Sequence, residues 1–452
     1  MTSFPLTELS AISPLDGRYR EKTKELSNYL SEYSLIKLRL EIEVKYLIFL
    51  SENQITRKLL KKEITLLETI ISDFSLKEAQ KIKQIESETR HDIKAVEKYL
   101  REKFKKTSLS DISEYIHFGL TSEDVNNISQ RLMLKSALEE IIIPLISLID
   151  NSFKEKAVKY RKTPMLARTH GQNAVGTTFG KEIFVFYSRI NKELINIKKL
   201  RLTGKLNGAV GNFNSLYFVF PNKNWISLSR RFISSLGLIP NNATTQINSF
   251  EDIIAVLQTI ERINGILIDF DQDIWRYISD GWLKLAVKEK EVGSSTMPQK
   301  VNPIDFENSE GNLIIANGLS KTMSEKLYLS RLQRDLSNST VIRNMGSLLG
   351  YSLLGYKSII SGLSRIDVDE QKMMEELNKD WSILTEALQT YLRSKKFNDS
   401  YYFVSSFSKG KKLDENTWTD LINKLEIPDK DKKELLKLKP SNYLGLAEKI
   451  VS

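Results

Sequence analysis

The chain contains no cysteine. Structural disulfides, thiolate metal sites and a cysteine nucleophile are therefore excluded together. Histidine is scarce as well, with three in 452 residues, so no metal centre is expected. Long apolar runs are missing: the longest, Ile141 to Ile149, is interrupted by Pro144 and is too short to span a bilayer. Met1 to Arg20 offers no apolar stretch behind a basic start, so no secretory signal is expected. A cytosolic protein without a membrane partner follows as the expectation. The net charge is +10, from 67 Lys+Arg against 57 Asp+Glu, yet no long basic tract occurs. Pairs such as Lys61-Lys62, Lys105-Lys106 and Lys198-Lys199 stand among acids. That scatter argues against a nucleic-acid face and for attraction of a polyanionic metabolite.

What is present is helical periodicity. The length suits about three domains, and changes of texture place them at 1–112, 113–365 and 366–452. In the first, Leu35, Leu38, Ile42 and Leu47 fall near helical spacing. In the second, Thr121-Ser122-Glu123-Asp124 has the chemistry of a helix start, and Val125, Ile128, Leu132, Leu138, Ile142, Leu145 and Ile149 supply an apolar face behind it. Ile183, Tyr187, Ile190, Leu194 and Ile197 mark another long helix. Val256, Ile260, Ile263, Leu267, Phe270, Ile274 and Tyr277 recur at alternating steps of four and three, a heptad seam that predicts helices supercoiling within and across subunits. Strand periodicity is limited to ambiguous short runs such as 216–220. The expected fold class is all-α, with shorter helices after residue 366.

Several stretches are polar where a bundle should be apolar. Residues 293–303 open on Gly293, and Pro298 and Pro303 forbid a regular helix there. Ser294, Ser295, Lys300 and Asn302 put proton acceptors and anion-binding donors within that short arc. Arg18 and Tyr19 follow a turn at 13–17, which reads as a surface turn or as an anion site. Residues 89–92 carry His91, and 168–172 carry His170 just before a predicted long helix, where each imidazole is either structural or functional. Residues 208–212 and 333–343 are also polar. No Gly-x-Ser-x-Gly elbow and no His-Glu-x-x-His occurs, and Gly176 to Lys181 is one residue short of a phosphate loop.

Residues 121–124 (Thr-Ser-Glu-Asp), 168–172 (Arg-Thr-His-Gly-Gln) and 293–303 (Gly-Ser-Ser-Thr-Met-Pro-Gln-Lys-Val-Asn-Pro) resemble the three signature regions of the fumarase/aspartase superfamily. Residues 16–19, 89–92 and 303–312 resemble its adenylosuccinate lyase branch, and the likeness runs over nearly the whole chain, weakest after about residue 366. The resemblance implies an all-α fumarase-like fold and homotetramers with a twenty-helix core whose active sites draw on three subunits. It also implies a nucleotide substrate, no cofactor, and release of fumarate by β-elimination. Another fumarate-releasing lyase, such as argininosuccinate lyase, is the alternative.

By the same resemblance Ser294 is the base, His170 the general acid, and Glu307 the carboxylate that orients the imidazole. Lys300 and Asn302 are implied to hold the substrate carboxylates, and Ser295, Val301 and Asn308 are implied to bind substrate with them. Arg18, Tyr19, Arg90, His91 and Asp92 are further implied binding residues, as are Thr121, Ser122 and Gln246. Arg334, Ser339, Thr340 and Arg343 complete the set. Two positions depart from the family pattern: Gln299 stands where relatives often have histidine, and Arg90 where some have asparagine.

Overall fold

The computed structural model describes residues 5–287, 296–297 and 299–451. Helices dominate, and among the described residues the strands form three two-stranded pairs, so the all-α expectation is met. Two compact units are each assembled from three segments. The first comprises Met1–Leu145, Glu193–Gly265 and Gly311–Gly355, and the second Ile146–Lys192, Ile266–Glu310 and Tyr356–Ser452. Among the described residues no helix is long and apolar enough to cross a membrane.

In the first unit the Glu32–Glu52 helix starts where the Ser31 hydroxyl accepts the Ser34 N–H at 3.2 Å. Its Ile36, Leu40, Val44 and Leu47 pack into one core with Leu67, Phe74, Ile82, Val96, Leu100 and Phe104. Each such side chain contributes about 1.5–3 kcal/mol on burial, and this holds the surrounding short helices in place. The predicted apolar face behind Thr121 divides into the Ser122–Ala137 helix, a π-helical turn Leu138–Ile142, and the Ile143–Lys159 helix. Pro144 is the physical reason: it has no N–H to return to the preceding turn, and a wider turn absorbs the mismatch.

Heptad positions Val256, Ile260, Ile263, Leu267, Phe270 and Ile274 of the Glu251–Ser279 helix are all almost wholly buried. In the second unit Phe270 lies 4.5 Å, centroid to centroid, from Phe153 and meets Phe186 edge-on at 5.3 Å. Aromatic packing therefore continues the aliphatic seam.

Two local expectations are corrected. The ambiguous run at 216–220 belongs mostly to a short helix, Asn214–Val219, seated by the buried Leu216. The segment around His170 does not lead straight into a helix. Pro164–Thr169 and Gln172–Thr178 form an antiparallel hairpin, and only then does the Phe179–Lys199 helix begin.

Candidate active site

Sequence-predicted residues of the first unit fall into three groups. Arg90 ends the Leu76–Thr89 helix in the left-handed conformation, φ +51°, and His91 begins the next, its ring Nδ1 accepting the Lys94 N–H at 3.2 Å. Asp92 accepts from Arg39 Nη2 at 2.6 Å, and Arg39 Nε donates to Asn126 Oδ1 at 2.8 Å. Burial is the largest influence and would raise the Asp92 pKa, but the Arg39 charge, the Ile93 N–H and the His91 ring together outweigh it and hold the carboxyl below its ordinary value. Asp92 thus ties the His91 turn to the helix that carries Ser122. Arg90 and His91 are exposed on that anchored turn.

Thr121 and Ser122 sit at the N-terminus of the Ser122–Ala137 helix, where the Thr121 N–H reaches Asp124 Oδ2 at 2.9 Å. Asp124, fully buried, also accepts the N–H groups of Asn207 at 3.0 Å and Gly208 at 3.1 Å. The equally buried Lys205 places Nζ 3.0 Å from Asp124 Oδ1 and 2.9 Å from the Gly208 carbonyl. The polar stretch at 208–212 is therefore a loop fastened to this helix end. Only glycine fits at 211: its φ is +84°, and a Cβ would lie 2.2 Å from the Thr244 carbonyl. Two residues further on, Gln246 pairs with Arg334, whose Nη1 donates to Gln246 Oε1 at 3.1 Å.

Ser339 and Thr340 belong to the short Ser337–Ile342 helix, followed at once by Arg343. Arg343 lines a cavity of about 250 Å³ together with Ser13, Asp16, Arg20, Ser27 and Ser31. That brings the 13–20 turn and the 337–343 segment together. Arg18 is exposed and Tyr19 half-buried on the same turn.

In the second unit, His170 and Gly171 form the two-residue hairpin turn, with φ +54° and +72°. The imidazole is exposed there. Arg168 fixes the hairpin: it pairs with Asp280, lies 3.6 Å from Glu376 through Nη2, and stacks 4.5 Å over the Trp282 ring. Glu307 is in the first turn of the Ile304–Leu327 helix and accepts the Trp275 indole N–H at 3.1 Å. Asn308 beside it donates to Ser358 Oγ at 2.7 Å. Among the described residues His170 makes no hydrogen bond, to Glu307 or any other group. Lys300 and Val301 are exposed and Asn302 is half-buried. Ser294 and Ser295 lie outside the described residues. Among the described residues no group of three or more His, Asp or Glu is placed to hold a metal ion.

One histidine had gone unassigned. His117 Nδ1 lies 2.6 Å from Glu43 Oε1, and its backbone N–H donates to Glu43 Oε2 at 3.1 Å. Both residues are withdrawn from water, and His117 has φ +59°. Four residues before Thr121, this clamp sets the path into the helix end. A positive-φ histidine leaves no sequence signature, and its partner is 74 positions away. Burial opposes a charge on His117, but Glu43, with help from Glu97 and Asp124, raises its pKa above the ordinary value. The clamp's contribution to stability is therefore complete below the unfolded value of about 6.5 and is lost as pH rises through the higher folded value. Melting temperatures at pH 6 and pH 8 should fall more for the natural protein than for Glu43→Gln; equal falls would exclude the linkage.

The family described as "Lyase" matches residues 17–318, and that described as "Adenylosuccinate lyase C-terminal" matches residues 330–444. The chain is 43% identical over 451 residues to the adenylosuccinate lyase of Buchnera aphidicola subsp. Acyrthosiphon pisum, covering 99% of both chains. It is 41% identical over 446 residues to that of Escherichia coli strain K12, covering 98% of each. Among solved structures, the fumarate lyase from Mesorhizobium sp. BNC1 superposes with a TM-score of 0.77 at 18% identity, over 95% of this chain and 96% of that one. At that identity the likeness carries the fold alone.

Proposed function

The chain belongs to the adenylosuccinate lyase family of the fumarase/aspartase superfamily, and from that premise we propose how its own residues divide the work. The reaction is a β-elimination that breaks a C–N bond. Adenylosuccinate gives AMP and fumarate, and the succinyl-aminoimidazole-carboxamide ribotide gives its carboxamide and fumarate. The observation that carries this reading is the near-full-length likeness to curated adenylosuccinate lyases, reinforced by the matching C-terminal segment. That segment favours this activity over argininosuccinate cleavage.

The chemistry sets two demands. A hydrogen next to a carboxylate is weakly acidic, so its removal needs a base and donors for the negative charge that spreads onto the carboxylate. The departing nitrogen would otherwise leave as an anion, so it needs a proton. Ser294 takes the proton from carbon, Lys300 and Asn302 stabilise the resulting dianion, and the pair of electrons moves to form the alkene as the C–N bond breaks. His170 protonates the nitrogen. Thr121, Ser122, Gln246 and Arg334 hold one part of the substrate, and Arg18, Tyr19, Ser339, Thr340 and Arg343 another. Arg90 and His91 present further donors from a turn that Asp92 anchors.

The site is shared among the subunits of a homotetramer. Two features support this: His170 stands exposed on its turn without a hydrogen-bond partner among the described residues, and Glu307 is engaged by Trp275 instead of by that imidazole. A carboxylate held by an indole N–H retains lone pairs for a histidine from another chain. The cytosol is the compartment that suits a cysteine-free enzyme of nucleotide synthesis. The test is to supply adenylosuccinate, the succinyl ribotide and argininosuccinate separately and follow fumarate by its absorbance. Release from the first two and none from the third is expected; release from argininosuccinate alone would overturn the assignment.

A further inference from the structure

Glu123 lies beside Ser122 in the first turn of the Ser122–Ala137 helix and is 4% exposed. A carboxylate so far from water needs a cation or a proton. Burial pushes its pKa above the ordinary value, while Arg334, Arg131 and Lys205 pull it down and Asp124 adds to the rise. Of these cations, Arg334 makes the ion pair, with Nη2 3.3 Å from Glu123 Oε2. The other terminal nitrogen of the same guanidinium donates to Gln246 Oε1 at 3.1 Å. Gln246 Nε2 in turn donates to the Ala209 carbonyl at 3.0 Å. The amide of Gln246 is thereby fixed in one sense, oxygen towards the arginine and nitrogen towards the loop.

Arg334 needs such a brace. It sits in an irregular stretch between the Ile304–Leu327 and Ser337–Ile342 helices, where Leu332 is 94% and Leu336 72% exposed. Backbone packing there does little to aim a long side chain with many rotamers. The rigid helix end that carries Glu123 supplies the aim.

We propose that Glu123 is a positioning residue that orients the Arg334 guanidinium, and through it the Gln246 amide, towards an anionic group of the substrate. The inference rests on the reading above that Arg334 and Gln246 bind substrate. A guanidinium has five N–H donors, so engagement by Glu123 and Gln246 leaves donors for a ligand carboxylate or phosphate.

The test is a double-mutant cycle with adenylosuccinate on assembled enzyme: natural protein, Glu123→Gln, Arg334→Ala and the double variant. Glu123→Gln keeps the shape and removes the charge, and a rise in KM of about tenfold is expected from losing one charged contact. In the Arg334→Ala background the same change should add less than about twofold, because the brace then has nothing to hold. Glu123→Asp, which keeps the charge at shorter reach, should recover part of the loss and serves if the glutamine variant assembles poorly. An equal loss in both backgrounds, a fall in kcat that merely tracks the folded fraction with KM unchanged, or no recovery with aspartate would each overturn the proposal. If Arg334→Ala alone leaves kcat/KM intact, the binding role of Arg334 falls, and the positioning role falls with it.

Discussion

Replacement of His170 by alanine is expected to lower kcat by about 10³-fold, with KM changed less than about threefold. In the proposed mechanism the imidazole acts on the nitrogen only as the C–N bond breaks, so its loss should remove stabilisation of the transition state and little of ground-state binding. Folding should be little affected. His170 is exposed at a hairpin turn, and the hairpin is held by the Arg168 contacts to Asp280, Glu376 and Trp282. The left-handed backbone at 170 costs alanine somewhat more than histidine, but the φ > 0 penalty is of order 1 kcal/mol in an exposed turn. Steady-state kinetics and a melting curve check both halves; a KM raised in proportion to the loss of kcat/KM would assign His170 to binding instead.

Ser294→Ala is expected to be as damaging, again by about 10³-fold in kcat. A hydroxyl is a poor base, so its power depends on positive charge such as that of Lys300 and on donors that stabilise the deprotonated oxygen. Removing it takes away the proton acceptor of the proposed mechanism. The two losses should not multiply: the double variant should be nearly as active as either single one if acid and base serve one step as a unit, as the proposed mechanism has it. A double variant another thousandfold weaker would place the two residues in separate steps. Both kcat values come from fumarate release under saturating substrate.

How far the sequence alone foretold this architecture depends on the range of the forces involved. The Glu251–Ser279 helix was readable because its seam repeats locally, and burial of Val256 through Ile274 follows the heptad. The start of the Ser122–Ala137 helix was readable because capping is a matter of four adjacent residues. The hairpin at 164–178 was not. Its second strand mixes polar residues with Ala174, Val175 and Gly176 without clear alternation, and a His-Gly turn lacks the usual Asn-Gly signature. The π-helical turn before Pro144 follows from one missing N–H, which marks a disturbance but not its form.

For the candidate site, the motifs were visible as strings while their partners were not. Asp92 looked like a ligand residue and is ion-paired with Arg39, 53 positions away. Asp124 looked like a helix cap and also gathers Lys205, Asn207 and Gly208. His117 and Glu43 meet across the first unit with nothing local to announce them. Pairings of this kind are set by tertiary packing, which periodicity does not encode.

The most direct measurement mixes His170→Ala and Ser294→Ala chains after subunit exchange and follows fumarate from adenylosuccinate. If each site takes its acid and its base from different chains, half times half of the sites, about one quarter, regain both groups, and activity should return to that fraction of the natural level. No recovery after exchange verified by mass would contradict a shared site in which this serine and this histidine do the chemistry.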